Sequence, residues 1–426
     1  MLCRLNIKKD ISGMNVRNAF LFAIYREGKG VLTMKKRFIW LWGVSVTAAL
    51  SIACTAVPTI LGTSRSNDVI DASSTNSPIF AAFNNTYGER IDLNRPKAQA
   101  DPNNSDKNLI RLIKGAKKSI DGSFYDIEAK NVVDEIIAAK KRGVLVRLVT
   151  DNDNLVEKSD PTKPREAIVS LQEAGVPIVD DQRSAIMHDK FMIVDQSVVW
   201  TGSTNLTPTS LYCHNNNALT IRSEKLADVF TDEFERLFVK KQFGKSSRGI
   251  FSFTPNVKVG EAQIRVFFSP GGGGRDAVVS ELKKAKKSIR FLTFSLTDVE
   301  TGDVMLAKAE AGVKVEGIFD RWLAAGEYSL YKKFKEAGLS VLKDGNEALM
   351  HHKVIIVDDS TLISGSYNYS ENAENNNNEA FLIIHQAPSL TAAYKREFDR
   401  IAYAAVHNHP PFVKRDDAEK KSGEQK

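Results

Sequence analysis

Cysteine is scarce in this 426-residue chain, with Cys3, Cys54 and Cys213 the only three. No disulfide framework can be built from them, so the fold must rest on an apolar core. His214 follows Cys213, but no second Cys/His pair lies nearby, so the two read as an ordinary loop pair and not as a metal site. Positive charge is scarce where nucleic acid would need it. The formal net charge is +7, yet residues 1–37 carry nine Lys/Arg against two Asp/Glu, and the remainder holds equal numbers of each sign. The globular body is therefore not a polycation. Glycines 271–274 lack the following Lys-Ser/Thr of a phosphate-binding P-loop and read as a flexible entrance loop. Only one run, residues 38–61, is both uncharged and apolar enough to reach across a bilayer.

That run follows Lys35-Lys36-Arg37, and positive charge on its N-terminal side places what comes after it outside the cytoplasm. The expectation is a secreted or membrane-anchored, extracytoplasmic protein (periplasmic or on the outer face if bacterial), with Met34 as the effective start. The run serves as a cleaved signal, a retained anchor or, through Cys54, a lipidation site; Ser51 stands where a lipoprotein signal usually has an aliphatic residue. The basic flank argues against a buried core helix.

What the chain does contain is a repeat. His188-x-Lys190, Asp195, Gly202-Ser203-x-Asn205 returns as His351-x-Lys353, Asp358, Gly365-Ser366-x-Asn368, every position displaced by 163 residues. Upstream, Ala116-Lys117-Lys118-Ser119-Ile120 and Ala285-Lys286-Lys287-Ser288-Ile289 stand 169 apart, so the first copy carries six extra residues, expected in a polar surface loop at 151–164. Helical spacing at 107–118, 132–142, 166–174 and 225–238 alternates with strand patterns at 119–127, 144–150, 176–179 and 218–221. Pro177 marks the third of these strands as a sheet edge. The fold class that follows is α/β, two α-β-α sandwich halves related by a pseudo-twofold axis, with the site at their interface. The expected divisions are 1–61 (extension and signal or anchor), 62–106 (linker or irregular extension), 107–245 and 246–405 (the two halves), and 406–426 (disordered tail).

The four apolar residues after each motif lysine read as strands buried on both faces. On a strand, His188 and Lys190 share a face, as do His351 and Lys353. A histidine supplies a nucleophile or a proton near neutral pH, and the lysine beside it holds an anion. Ser203, Asn205, Ser366 and Asn368 add hydrogen-bonding groups. Two such sets facing one another suit a two-step, in-line displacement at phosphorus with no metal or other cofactor. Asp195 and Asp358, an odd interval from the lysines, turn away from that face and read with Gly202 and Gly365 as structural. His352 reads as a neighbour on the opposite strand face, and Phe124, Tyr125, Phe291 and Phe294 read as core.

The doubled His-x-Lys-x4-Asp pattern resembles the phospholipase D superfamily over residues 107–405. The resemblance implies that one histidine forms a phosphohistidine while the other protonates the leaving alcohol and then activates water. The family often places an acidic residue downstream of each motif against the histidine of the opposite half. Glu379 fits that place in the second half, whereas the first half has Asn216 there. A Glu379 reaching across to His188 makes His188 the expected nucleophile and His351 the general acid and base. The implied activity is phosphodiester hydrolysis or transfer, first on phospholipid to give phosphatidic acid and a headgroup alcohol. A nuclease acting on DNA or RNA is the alternative, and an inactive binding or scaffold protein the more distant one. With both motifs in one chain, a monomer is expected.

Overall fold

The computed structural model describes residues 77–84, 91–244 and 254–407. The run at 38–61, the start at Met34 and the tail beyond His407 lie outside the described residues. Among the described residues no helix is long and apolar enough to cross a membrane.

In the first half the chain runs through β1 (Ile79–Phe83), α1 (Ile91–Ala100), α2 (Ser105–Gly115), β2 (Ser119–Phe124), α3 (Lys130–Lys141) and β3 (Leu145–Thr150). A short hairpin follows, β4 (Val156–Glu157) and β5 (Asp160–Pro164), then α4 (Glu166–Glu173) and β6 (Ile178–Asp180). The motif strands are β7 (Lys190–Val194) and β8 (Val198–Gly202), followed by α5 (Pro208–Tyr212), β9 (Asn217–Arg222) and α6 (Glu224–Phe238). The second half begins with β10 (Val257–Val259) and β11 (Ala262–Ser269), then α7 (Gly274–Lys284), β12 (Ser288–Thr293), α8 (Val299–Glu310) and β13 (Lys314–Phe319). It continues through α9 (Tyr331–Glu336), β14 (Ser340–Lys343), β15 (Lys353–Val357), β16 (Thr361–Gly365), α10 (Glu371–Asn375), β17 (Glu379–His385) and α11 (Pro388–His407).

The first sheet has the order β1-β9-β8-β7-β2-β3-β6, and the second β10-β11-β17-β16-β15-β12-β13-β14. Strand for strand these are the same sheet, with β10 added at one edge of the second. The parallel pairs β2–β3 and β12–β13 carry facing ion pairs of opposite polarity, Asp121 with Arg147 and Arg290 with Glu316. The match also corrects the expected linker: β1, drawn from residues 62–106, pairs with β9 as β11 pairs with β17. The polar surface loop expected to hold the six extra residues of the first half carries the exposed β4–β5 hairpin. Strand β6 lies at the sheet edge, where Pro177 can withhold its missing N–H from the ladder.

Side chains of β7 and β15 alternate between two buried faces. Phe191, Ile193, Val354 and Ile356 join one apolar cluster that runs continuously through both halves, and Phe230 of α6 meets Phe268 of β11 at its centre, 5.4 Å between rings. Met192 and Val194 face a separate core under α2, α3 and α4, while Ile355 and Val357 face one under α7, α8 and α9. Each sheet is thus covered on both sides, and the inner helices α6 and α11 knit the two together.

Candidate functional site

The two hairpins β7–β8 and β15–β16 are locked by their aspartates. Asp195 and Asp358 both adopt a left-handed backbone with φ +51, as do Gln196 and Asp359 after them, which is the geometry of a tight hairpin turn. The Asp195 carboxylate accepts the amides of Lys117, Lys118 and Ser119, and Asp358 accepts those of Lys286, Lys287 and Ser288. Burial opposes their ionisation, but three amides hold each carboxyl below the usual range. Gly202 and Gly365 let the next strand close in: a Cβ at either would sit 2.3 Å from the carbonyl oxygen of Asn217 or Ala380.

At the other end of β7 and β15 the halves interlock. The amide of His188 donates to the carbonyl of Asn378 (2.8 Å), and the amide of His351 to that of Asn215 (2.8 Å). In return Asn378 donates to Ile186 and Asn215 to Leu349. Each histidine is therefore gripped by the loop of the opposite half, just before Glu379 in one case and Asn216 in the other. Glu379 Oε2 lies 2.7 Å from His188 Nδ1, and Asn216 Oδ1 lies 3.0 Å from His351 Nδ1. Both partners accept, so Nδ1 carries the proton and Nε2 is left as the nitrogen for chemistry in each ring. The motif serines brace these partners: Ser366 Oγ donates to Glu379 Oε2 at 2.6 Å, and Ser203 Oγ to Asn216 Oδ1 at 2.8 Å.

Lys190 and Lys353 are fully buried, and each donates to the carbonyl of its own motif histidine, at 2.7 and 2.8 Å. Burial pushes the Lys190 ammonium down to about 8, against the pull of Glu379, and holds Lys353 well below the ordinary lysine range with help from Lys190. Burial likewise raises the Glu379 carboxyl to about 8. Burial and then the two lysines disfavour the His188 cation. Burial thus works against charge on both partners of the His188–Glu379 contact and on both lysines. Asn205 and Asn368 stand nearby on the strand-to-helix loops, their side-chain oxygens buried with no hydrogen-bond partner among the described residues.

Several side chains read as core or loop belong here. Tyr125 meets the His188 ring edge-on at 5.1 Å and Phe294 meets His351 at 4.7 Å; Lys190 and Lys353 lie over the same two rings. Phe124 and Phe291 are fully buried in the core, as expected. His214 is no ordinary loop residue, because its ring lies 6.0 Å from that of His351. Asp151 and Asp320, 169 residues apart, accept the amides of Met187 and Met350 immediately before the histidines. Their repeat spacing was the available signal, hidden by lying far upstream of the motifs. His352 faces away as expected, bonding Glu397 of α11 and Asn217. Just after the glycine 271–274 segment, the Glu374 carboxylate accepts the amide of Arg275.

Against known families, residues 109–238 and 278–402 match one described as "Cardiolipin synthase, PLD-like domain". The chain belongs to this phospholipase D-like family. Both phospholipase D-like halves carry one motif each. Among curated relatives, the mitochondrial cardiolipin hydrolase of Xenopus tropicalis is 32% identical over 130 residues, 30% of this chain and 59% of that protein. The phospholipase D of Rickettsia typhi is 27% identical over 144 residues, 34% of this chain and 71% of that protein. The match thus spans under two thirds of the cardiolipin hydrolase. The solved phosphatidylserine synthase of Haemophilus influenzae Rd KW20 shares the fold, with a TM-score of 0.56 at 15% identity over 75% of this chain and 85% of that one.

Proposed function

We propose that the protein cleaves phosphodiesters in two displacements through a phosphohistidine. The observation that carries this is the pairing of like parts across the two halves: two fully buried lysines and two histidines whose Nδ1 atoms are both engaged, one by Glu379 and one by Asn216. A phosphodiester anion held between the two lysines favours their charged forms against burial. Nε2 of His188 attacks phosphorus, forming the P–N bond as the ester P–O bond breaks. His351 gives its Nε2 proton to the departing alcohol, then removes a proton from the water that opens the phosphohistidine. Lys190 and Lys353 hold the charge that builds on the phosphoryl oxygens, the role a cation would otherwise take.

Phospholipid is the substrate this reading puts first. It is supported by relatives named for cardiolipin hydrolysis and phospholipase D, and by the neutral charge balance after residue 37. The apolar run at 38–61 supports a membrane-anchored or secreted location for a monomer. The test is parallel turnover of phosphatidylcholine, cardiolipin and single-stranded DNA by the full chain, with and without EDTA. Lipid cleavage unaffected by chelation is expected. Faster cleavage of DNA would replace lipid with nucleic acid, and loss on chelation restored by zinc or magnesium would end the metal-independent scheme.

A further inference from the structure

The loop after α5 puts a third histidine into the site, and backbone bonds fix it there. His214 N–H donates to Thr209 O, and the adjoining Asn215 bonds Leu349 and His351 through its own backbone. The His214 ring is half-buried, 6.0 Å from the His351 ring and inclined to it by 43°. At the 163-residue spacing its counterpart is Asn377, whose amide lies 3.4 Å from Glu379. The two sides of the site are thus furnished in opposite ways. The His188 side has Glu379 against the ring and the Asn377 amide against Glu379. The His351 side has an amide under the ring and an imidazole beside it.

We infer that His214 is a positioning residue for the leaving-group side, its imidazolium making His351 a readier proton donor to the departing alcohol. The inference rests on His351 being the general acid. Glu379 stabilises positive charge on the ring that must become a phosphoimidazolium; His214 destabilises it on the ring that must give its proton away. His214 keeps its own proton throughout: the bond that breaks is His351 Nε2–H, and the proton goes to the ester oxygen leaving phosphorus. Burial weighs most against the His351 cation, and the charged groups that act with it are Lys353 from its own strand, His214, and Lys190 and His188 from the opposite motif. Arg95 and Glu347 act with opposite signs on neighbouring Cys213. Both lysines remain in place when His214 alone is changed.

The test is His214→Asn, which installs the residue found at the counterpart position. His351 is followed by histidine-selective NMR of the full chain without substrate. Its titration midpoint should rise by about one pH unit, the size of a screened repulsion between cations at this separation. Two diesters of similar shape then separate the chemistry. Diphenyl phosphate, with the poorer leaving group, should slow about tenfold, and bis(p-nitrophenyl) phosphate by less than about twofold. An unmoved His351 midpoint, or equal slowing of both diesters, would overturn the inference. His214→Gln serves as the second variant should the asparagine protein not fold. The NMR shift needs no turnover, so a failure of the phosphohistidine scheme would show separately, as absence of any phosphoryl adduct in quenched wild-type protein.

Discussion

Beneath His188 lies a carboxylate, and beneath His351, at the same place in the same strand order, lies an amide. The surroundings otherwise agree closely: a buried lysine two residues on, an aromatic edge against the ring, a serine bracing the partner, and an aspartate accepting the preceding amide. The scaffold is duplicated and the partner of each ring is not. An attacking histidine gains from a negative partner that supports the cation it becomes, whereas a histidine that donates a proton gains nothing from holding it tightly.

The hardest test of this comparison is to remove each histidine in turn. His188→Ala should form no phosphoenzyme with any diester. His351→Ala should lose about 10²–10⁴-fold on poor leaving groups and recover much of the first step with a p-nitrophenyl ester. Denaturing mass spectrometry of quenched His351→Ala protein should then find the adduct on the peptide holding His188. An adduct on the His351 peptide in His188→Ala protein would reverse the two roles.

A smaller effect is expected from making the two sides alike. Glu379→Gln keeps the hydrogen bond but removes the charge, and kcat should fall about 10²-fold. The matching change Asn216→Asp should not raise it. Equal, small effects from both would show that the carboxylate does not distinguish the histidines.

Milder again is the dependence on pH. The Lys190 ammonium, pushed down to about 8 by burial, is charged below that pH and loses its charge above it. Hence kcat/KM should decline as pH rises through about 8, and the limb should persist in Glu379→Gln, which removes the site carboxyl raised into the same range. Disappearance of the limb in that variant would assign it to Glu379 instead.

The least asymmetric positions should show the least difference. Asp195→Asn and Asp358→Asn each weaken three amide contacts at an equivalent turn, so each should cost about 1–3 kcal/mol in urea denaturation, with the two values similar. A large disparity would mean that the halves differ in more than their chemistry.

The repeat made the core of this arrangement legible in advance. Spacing alone paired the motifs, set the lysine strands between two buried faces and turned Asp195 and Asp358 away from the site. The site's edges were harder to read. Tyr125 and Phe294 sit just past the ends of β2 and β12, where strand alternation stops predicting which way a side chain points. Next to a lone cysteine, His214 carries no spacing signal, and its nearness to His351 comes from long-range bridges. Strand β1 escaped because the chain between it and β2 contains α1 and α2, whereas α7 alone separates β11 from β12. Once that spacing differs, no constant offset can reveal the pairing.

The crossed bridges at Met187–Asn378 and Asn215–Met350 also bear on how the molecule opens. Neither half can finish its own histidine, so any fluctuation that parts the halves dismantles both positions together. The backbone amides of His188 and His351 should therefore exchange with solvent through one shared opening event, at a common rate. A chain whose second half has not yet docked would hold its two lysines and two histidines in no common arrangement.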